Sequence, residues 1–278
     1  MHMRAVCAGM VLCIWCALVR VACAGSLVII GDSQENETRQ RQVVHAVLEK
    51  NPVAVFRVGD QVDDGNSAAQ WSTFNRVNAE LLKTVPYYPA LGNHEYRASL
   101  YFENFPQLHN QRWYAVQAEG VYCIVLDSND NITKGSAQYA WLVSELQRVP
   151  KSASYIVVLM HHPLYSVGFH GNDKKVMREL LLPLFEKYGV VAVFAGHDHD
   201  YQRLFDKGIY FIVTGGGGSI LREKVMESPY LQVYKLVYHF CVLTPGERGL
   251  DVTVYDVNLK IIDQFEIPAS VTHAGGLK

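Results

Sequence analysis

Val53-Ala54-Val55-Phe56-Arg57-Val58-Gly59-Asp60 reads as a buried strand that stops at a Gly-Asp pair. The same device stands upstream, where the β-branched run Leu27-Val28-Ile29-Ile30 ends at Gly31-Asp32. Short apolar runs bounded by turn residues are the pattern of strands buried on both faces. Between them, Thr38 to Lys50 carries Val43, Val44, Val47 and Leu48 on one helical face. Strand, helix, strand predicts an α/β fold with parallel pairing.

The alternation continues downstream. Ala68 to Lys83 reads as a helix, and Tyr88 to Leu91 as a strand running into Gly92-Asn93-His94-Glu95. Residues 112–127 read as a hairpin turning near Glu119-Gly120. Gln138 to Val149 is helical, and Tyr155 to Met160 is a buried strand ending at His161. A helix capped by Asn172 or Asp173 follows, with Val176, Leu180, Leu181, Leu184 and Phe185 at helical spacing. Val190 to Phe194 ends at Gly196-His197, and Ile209 to Val213 ends at Gly215 to Gly218. The tail, about Leu236 to Ile267, predicts three antiparallel strands with a turn at Pro245-Gly246.

Polar residues appear wherever an apolar run stops, and sheets of this class collect their ligands at the carboxyl ends of strands. The strand-end set is Asp32, Asp60, Asn93, His161, His197 and His199. Taken singly, each has a blander reading: a turn Asp, a Gly-Asn turn, a satisfied His. Together they make two carboxylates, one amide and three imidazoles without a thiolate, a donor set for Zn, Mn, Fe or Ni. Six groups exceed one tetrahedral site and suit two metals sharing a carboxylate, a recurrent arrangement for phosphoryl hydrolysis.

These residues also resemble a family. Gly59-Asp60 with Asp63, Gly92-Asn93-His94-Glu95 and Gly196-His197-Asp198-His199 resemble the calcineurin-like metallophosphoesterase signature. Val158-Leu159-Met160-His161, Gly196 to Arg203 and Thr214 to Gly217 are similar to its purple acid phosphatase branch. The resemblance implies a four-layer α-β-β-α sandwich of two mixed sheets. It implies that Asp60 bridges two transition-metal ions, that Asp32 and His199 bind the first, and that Asn93, His161 and His197 bind the second. His94 would stabilise phosphoryl oxygens or protonate the leaving alkoxide. His170, nine residues after His161, would contact substrate or leaving group. His162 is expected to have a local structural part. The glycine run lacks the Lys-Ser/Thr ending of a P-loop and reads as a tight strand end beside the metals.

Two positions depart from relatives. Gln34 stands where many have His, so the first metal is expected to be held more loosely. Asp63 stands where purple acid phosphatases have Tyr, and the expectation is a colourless protein even with iron. Asp64 and Leu91 replace the phosphate-gripping arginines of protein phosphatases, which disfavours that activity. The resemblance implies a phosphomonoesterase using hydroxide generated by two metals. A phosphodiesterase and a non-catalytic metal-binding surface protein are the alternatives.

Composition agrees with one globular unit: of 278 residues, 49% are hydrophobic and 19% charged. With 25 basic and 27 acidic residues, no basic surface points to nucleic acid, and the expected partner is a small phosphorylated substrate. Residues 1–24 are expected to be a signal peptide, with an uncharged run from Ala5 to Val19 and a small-residue site at Ala22-Cys23-Ala24. A lipid anchor on Cys23 and an uncleaved membrane anchor are the alternatives. The expectation is an exported protein, periplasmic or secreted, with one metallophosphoesterase domain over 25–278. Exported nucleotidases of the family carry a further C-terminal domain, whereas the three tail strands are expected to complete the second sheet. Four of six cysteines lie in the leader; Cys123 and Cys241 read as buried thiols, with a single bridge as the alternative.

Overall fold

The structure is a computed structural model and describes residues 25–171 and 174–269. The expected leader with its cysteines, and the caps expected at Asn172 or Asp173, lie outside the described residues. The chain runs β1 (Leu27–Ile30), α1 (Glu37–Leu48), β2 (Ala54–Arg57), α2 (Ala68–Thr84), β3 (Tyr87–Pro89), α3 (Ser99–Asn104), β4 (Tyr114–Ala118) and β5 (Val121–Val125). It continues through α4 (Ala137–Gln147), β6 (Tyr155–Leu159), α5 (Lys175–Tyr188), β7 (Val190–Ala195), β8 (Tyr201–Asp206) and β9 (Ile209–Thr214). Then follow β10 (Leu231–Lys235), β11 (His239–Pro245), β12 (Gly249–Asp256) and β13 (Ile261–Pro268).

Local chemistry sets the boundaries. Asn36, Ser67 and Ser136 cap α1, α2 and α4 by accepting from Arg39, Gln70 and Tyr139 backbone N–H groups. Gly189, at φ 71°, ends α5 in the left-handed conformation glycine tolerates. The β4–β5 turn places Glu119 at φ 50° and Gly120 at φ 79°, the twist a two-residue hairpin requires.

Among the described residues the strands form two mixed sheets. The first has the order β13-β12-β11-β1-β2-β3, and the second β10-β8-β9-β7-β6-β5-β4. β1, β2 and β3 are parallel, with Ile30 opposite Arg57 and Arg57 opposite Pro89, so their carboxyl ends share one edge. β5, β6, β7 and β9 are parallel in the second sheet, with Leu159 opposite Phe194 and Phe194 opposite Ile212. Val28 and Phe56 from one sheet and Cys123, Val157 and Phe194 from the other lie in one buried core. Residues of α1 and α2, such as Val43, Val47, Trp71 and Phe74, extend that core on the first sheet. Leu142, Leu146, Leu181 and Phe185 of α4 and α5 pack on the second sheet with Ile156, Val158 and Phe211. Burying each such side chain contributes about 1.5–3 kcal/mol. This is the expected four-layer sandwich.

Three details differ from the sequence reading. The tail strands do not extend the later sheet; β11 pairs with β1 on its free side, with Leu27 opposite Leu243. Val176 is 74% exposed, because α5 turns Leu181, Leu182 and Phe185 inward and not its first turn. α3, β8 and β10 have no counterpart in the sequence reading, although β8 begins inside the Gly196–Arg203 motif. Cys123 and Cys241 are free and buried, as expected of packed thiols.

Candidate metal centre

Asp32 and Asp60 follow β1 and β2 on the same sheet edge, and Asn93 and His94 follow β3. His161 follows β6, and His197 and His199 follow β7. The two edges meet, and all six strand-end residues come together. Around His161 Nε2 stand Asn93 Oδ1 at 2.9 Å, His197 Nδ1 at 3.1 Å and Asp60 Oδ2 at 3.2 Å. Asp60, His161 and His197 offer ligand atoms that all lie within 4.8 Å of one another. Beside this group, His199 Nε2 lies 3.6 Å from Asp32 Oδ1. Gln34 closes the space between: its Nε2 is 3.3 Å from Asp60 Oδ2 and 3.4 Å from His199 Nε2.

The backbone is bent to achieve this. Asp32, Asp60 and His197 have φ of 55°, 51° and 72°, a region that costs L-residues about 1–2 kcal/mol each. Strain stored at three neighbouring positions marks a functional site. Two glycines are obligatory for the close approach. A Cβ on Gly92 would collide with the Asp60 carboxylate, and one on Gly196 with Asp32 Oδ2.

The electrostatics call for positive charge. His161 donates Nδ1–H to Val58 O at 2.9 Å, so its Nε2 faces three acceptor-capable atoms, and one proton satisfies only one of them. Burial alone would lower the His161 imidazole, yet the Asp60 carboxylate carries it up to about 9. Burial likewise opposes ionisation of Asp60, but His161 and then His94 hold it below the usual carboxylate range. Burial pushes Asp32 well up, and Asp60 adds to this against the opposing pull of His161. His197 is pushed far down by burial and by the neighbouring His161 and His162. Asp32 Oδ2 is buried without a hydrogen-bond partner. An orphaned carboxylate oxygen and acceptors gathered around one ring nitrogen fit a bound cation. The mixed imidazole, carboxylate and amide donors suit a transition metal.

His94 stands at the rim, its side chain 33% exposed. Its Nδ1 donates to Asp63 O at 2.6 Å, leaving Nε2 3.8 Å from Asp60 Oδ2. The Asp63 carboxylate is half exposed and lies 3.5 Å from His94 Nδ1. His170 packs its ring on His197, with centroids 3.9 Å apart. His162 is bound locally, as expected: its Nδ1 meets Ser128 Oγ at 2.8 Å.

Supporting residues escaped the sequence reading. Glu95 is fully buried and accepts backbone N–H groups of Asp60, Val62 and Gly92 at 3.0–3.1 Å, binding two ligand loops together. Burial, with Asp60 nearby, pushes its carboxyl up to about 7. Its only signal was the last letter of Gly92-Asn93-His94-Glu95. Asp198 takes Ser166 Oγ at 2.5 Å and His170 N at 3.0 Å, and so places the loop that carries His170. Asn129 donates to Leu91 O and Gly92 O at 3.2 Å, and no local pattern announced it.

A family model described as calcineurin-like phosphoesterase matches residues 25–201. Purple acid phosphatase 1 of Ipomoea batatas is 34% identical over 152 residues, 48% of this chain and 32% of the relative. A phosphoenolpyruvate phosphatase of Allium cepa is 30% identical over 219 residues, 70% of this chain and 45% of the relative. The chain thus spans a third to a half of these curated relatives. In fold it is similar to a purple acid phosphatase from yellow lupin seeds, with TM-score 0.78 at 19% identity over 90% of this chain and 54% of the other.

Proposed function

The chain belongs to the calcineurin-like phosphoesterase family, and on that premise we propose that it hydrolyses phosphate monoesters. The observation that carries this reading is the gathering of Asn93, His197 and Asp60 around His161 Nε2, with His94 beside it. Asp60 would be shared between two metal ions, Asp32 and His199 would hold the first, and Asn93, His161 and His197 would hold the second. Two bound transition-metal ions would supply Lewis acidity and lower the pKa of water at the centre.

The residues divide the remaining work. Val58 O fixes the His161 tautomer, and Glu95 holds the Asp60 and Asn93 loops in register before any ligand arrives. His94 keeps Nδ1–H on Asp63 O, so Nε2 is the atom that handles a proton at the phosphoryl group. Water adds to phosphorus, the P–O bond to the alcohol breaks, and a proton held on His94 Nε2 passes to the departing alkoxide. His170, placed through Asp198, contacts the substrate on the His197 side.

Purple acid phosphatases among the relatives support a monoester over a diester. Export through residues 1–24, and a single domain over 25–278, belong to the same reading. The test is hydrolysis of p-nitrophenyl phosphate by the chain from Gly25, stripped of metal and then given Mn, Zn, Fe or Ni. Metal-restored turnover is expected. A higher kcat/KM for bis(p-nitrophenyl) phosphate would replace the monoester reading, and no turnover of either ester by folded protein would leave a metal-binding protein.

A further inference from the structure

Phe169 and Ile220 are large apolar side chains left 65% and 60% exposed. Phe169 lies on the loop after β6, and Ile220 and the similarly bare Val225 lie on the loop after β9. In the second sheet β7 stands between β6 and β9, so these two loops flank the β7 end that carries His197 and His199. Apolar side chains are scattered singly over every protein surface, but three on the two loops beside one site form a rim. Contacts tie that rim to the centre. The Phe169 ring meets His170 edge-on with centroids 5.0 Å apart, and the His170 ring lies 3.9 Å from that of His197. On the other flank, Ile220 O accepts from His199 Nδ1 at 2.9 Å.

The Phe169 ring is not bare because its loop is loose. Val167 N–H donates to Gln202 Oε1 at 2.8 Å and His170 N–H to Asp198 Oδ1 at 3.0 Å, so the backbone on both sides of Phe169 hangs on buried side chains. Gly168 N–H donates to Ser166 Oγ at 2.9 Å, and that hydroxyl donates to Asp198. A Cβ on Gly168 would collide with the Asp198 carboxylate, so only glycine allows the loop to lie this close. The second loop is fastened to the first where Val225 and Met226 N–H donate to Val167 O at 2.9 Å and 3.2 Å. The loop therefore cannot fold back to hide the ring. A stiff aromatic side chain on backbone fixed in advance leaves apolar area in water that a ligand covers with little ordering cost.

We propose that Phe169 sets specificity: its ring receives the apolar part of the leaving alcohol, so that phosphate esters of alcohols bearing an aromatic ring are preferred to those of small alkyl alcohols. His170 touches both Phe169 and His197, so an alcohol that departs past His170 meets the ring next. This rests on the phosphatase reading and adds to it the class of leaving group.

A matched pair tests it: 3-phenylpropyl phosphate and propyl phosphate, whose leaving alcohols are nearly equal in acidity and differ in the ring. Metal-loaded protein should favour the phenyl ester in kcat/KM on the order of tenfold, the worth of covering part of one ring. Phe169→Ser should bring the ratio close to one, and Phe169→Tyr should keep it. A ratio of one in wild type overturns the proposal. A second arm needs no turnover: binding of 3-phenylpropylphosphonate and propylphosphonate, which have no ester bond to cleave, followed by calorimetry on the same proteins. Tighter binding of the phenyl compound, lost in Phe169→Ser and kept in Phe169→Tyr, supports the subsite even if every ester goes uncleaved, in which case the phosphatase reading falls alone. Equal binding of the two phosphonates, or a preference that survives Phe169→Ser, overturns the subsite even if p-nitrophenyl phosphate is hydrolysed.

Discussion

The centre has two unequal halves. On one side Asn93, His197 and Asp60 crowd His161 Nε2 within 3.2 Å, with the His161 ring held by Val58 O and the Asp60 carboxylate by His94 N–H. On the other, Asp32 and His199 stand 3.6 Å apart and an amide, Gln34, fills the gap. The first half brings four donor side chains together. The second keeps an orphaned oxygen on Asp32 and offers, in Gln34, a weaker ligand than imidazole. A shared centre can thus be rigid on one side and adjustable on the other, and the two sides should load metal with different affinity.

The largest effect should come from the residue common to both halves. Asp60→Asn is expected to remove metal and activity together, which metal analysis and p-nitrophenyl phosphate hydrolysis would register; full metal content in the variant would deny Asp60 its bridging place. Next, His94→Ala should retain both metals yet lose rate by on the order of 10²–10⁴. An unchanged kcat would take His94 out of the chemistry and leave the two halves to account for it alone.

Gln34→His bears directly on the inequality. It should tighten the looser half on the order of tenfold, seen as a second metal equivalent surviving chelator challenge. If wild type already retains two equivalents equally, the halves are alike and the contrast is void. The smallest effect concerns the ground beneath the looser half. His239 is wholly buried, donates Nδ1–H to Val237 O and packs against Gly216, next to the Gly215 that borders Asp32. Burial holds its imidazole down at about 4, below the ordinary 6.5. Its native form is neutral, so the unfolded chain binds the proton first as pH falls. The stability it contributes is complete above about pH 6.5 and is lost on descent to about pH 4, about 3 kcal/mol in all. Urea titrations across that window should show the loss, and His239→Asn should flatten it.

Much of this was legible in sequence, for identifiable reasons. β1 and β2 are apolar runs that stop at Gly-Asp, and a strand that stops there puts its Asp on the sheet edge. The six strand-end residues were readable because their order along the chain repeats the order of the strands. Sheet membership of the tail was not readable: alternation along β11–β13 fixes which side chains turn inward, but not which strand lies alongside. Glu95 was opaque because its partners are backbone N–H groups, two of them more than thirty residues away. Val176 misled because helical spacing defines a stripe without saying where along the helix the neighbouring sheet ends. Gln34 announced itself as a departure, and only coordinates showed it bridging Asp60 and His199.

The pairing of Leu27 with Leu243 has a consequence for how the protein is made. One edge of β1 meets β2 within a few dozen residues, whereas its other edge waits for a strand that is more than 200 residues further on. At ordinary ribosomal speeds of about 5–20 residues per second, the nascent chain carries an uncovered, wholly apolar strand for roughly 10–40 s. During that interval the Asp32 loop is built on an open border. The looser half of the centre is therefore also the half whose foundation is laid last, and a chaperone that shields strand edges would act on it first.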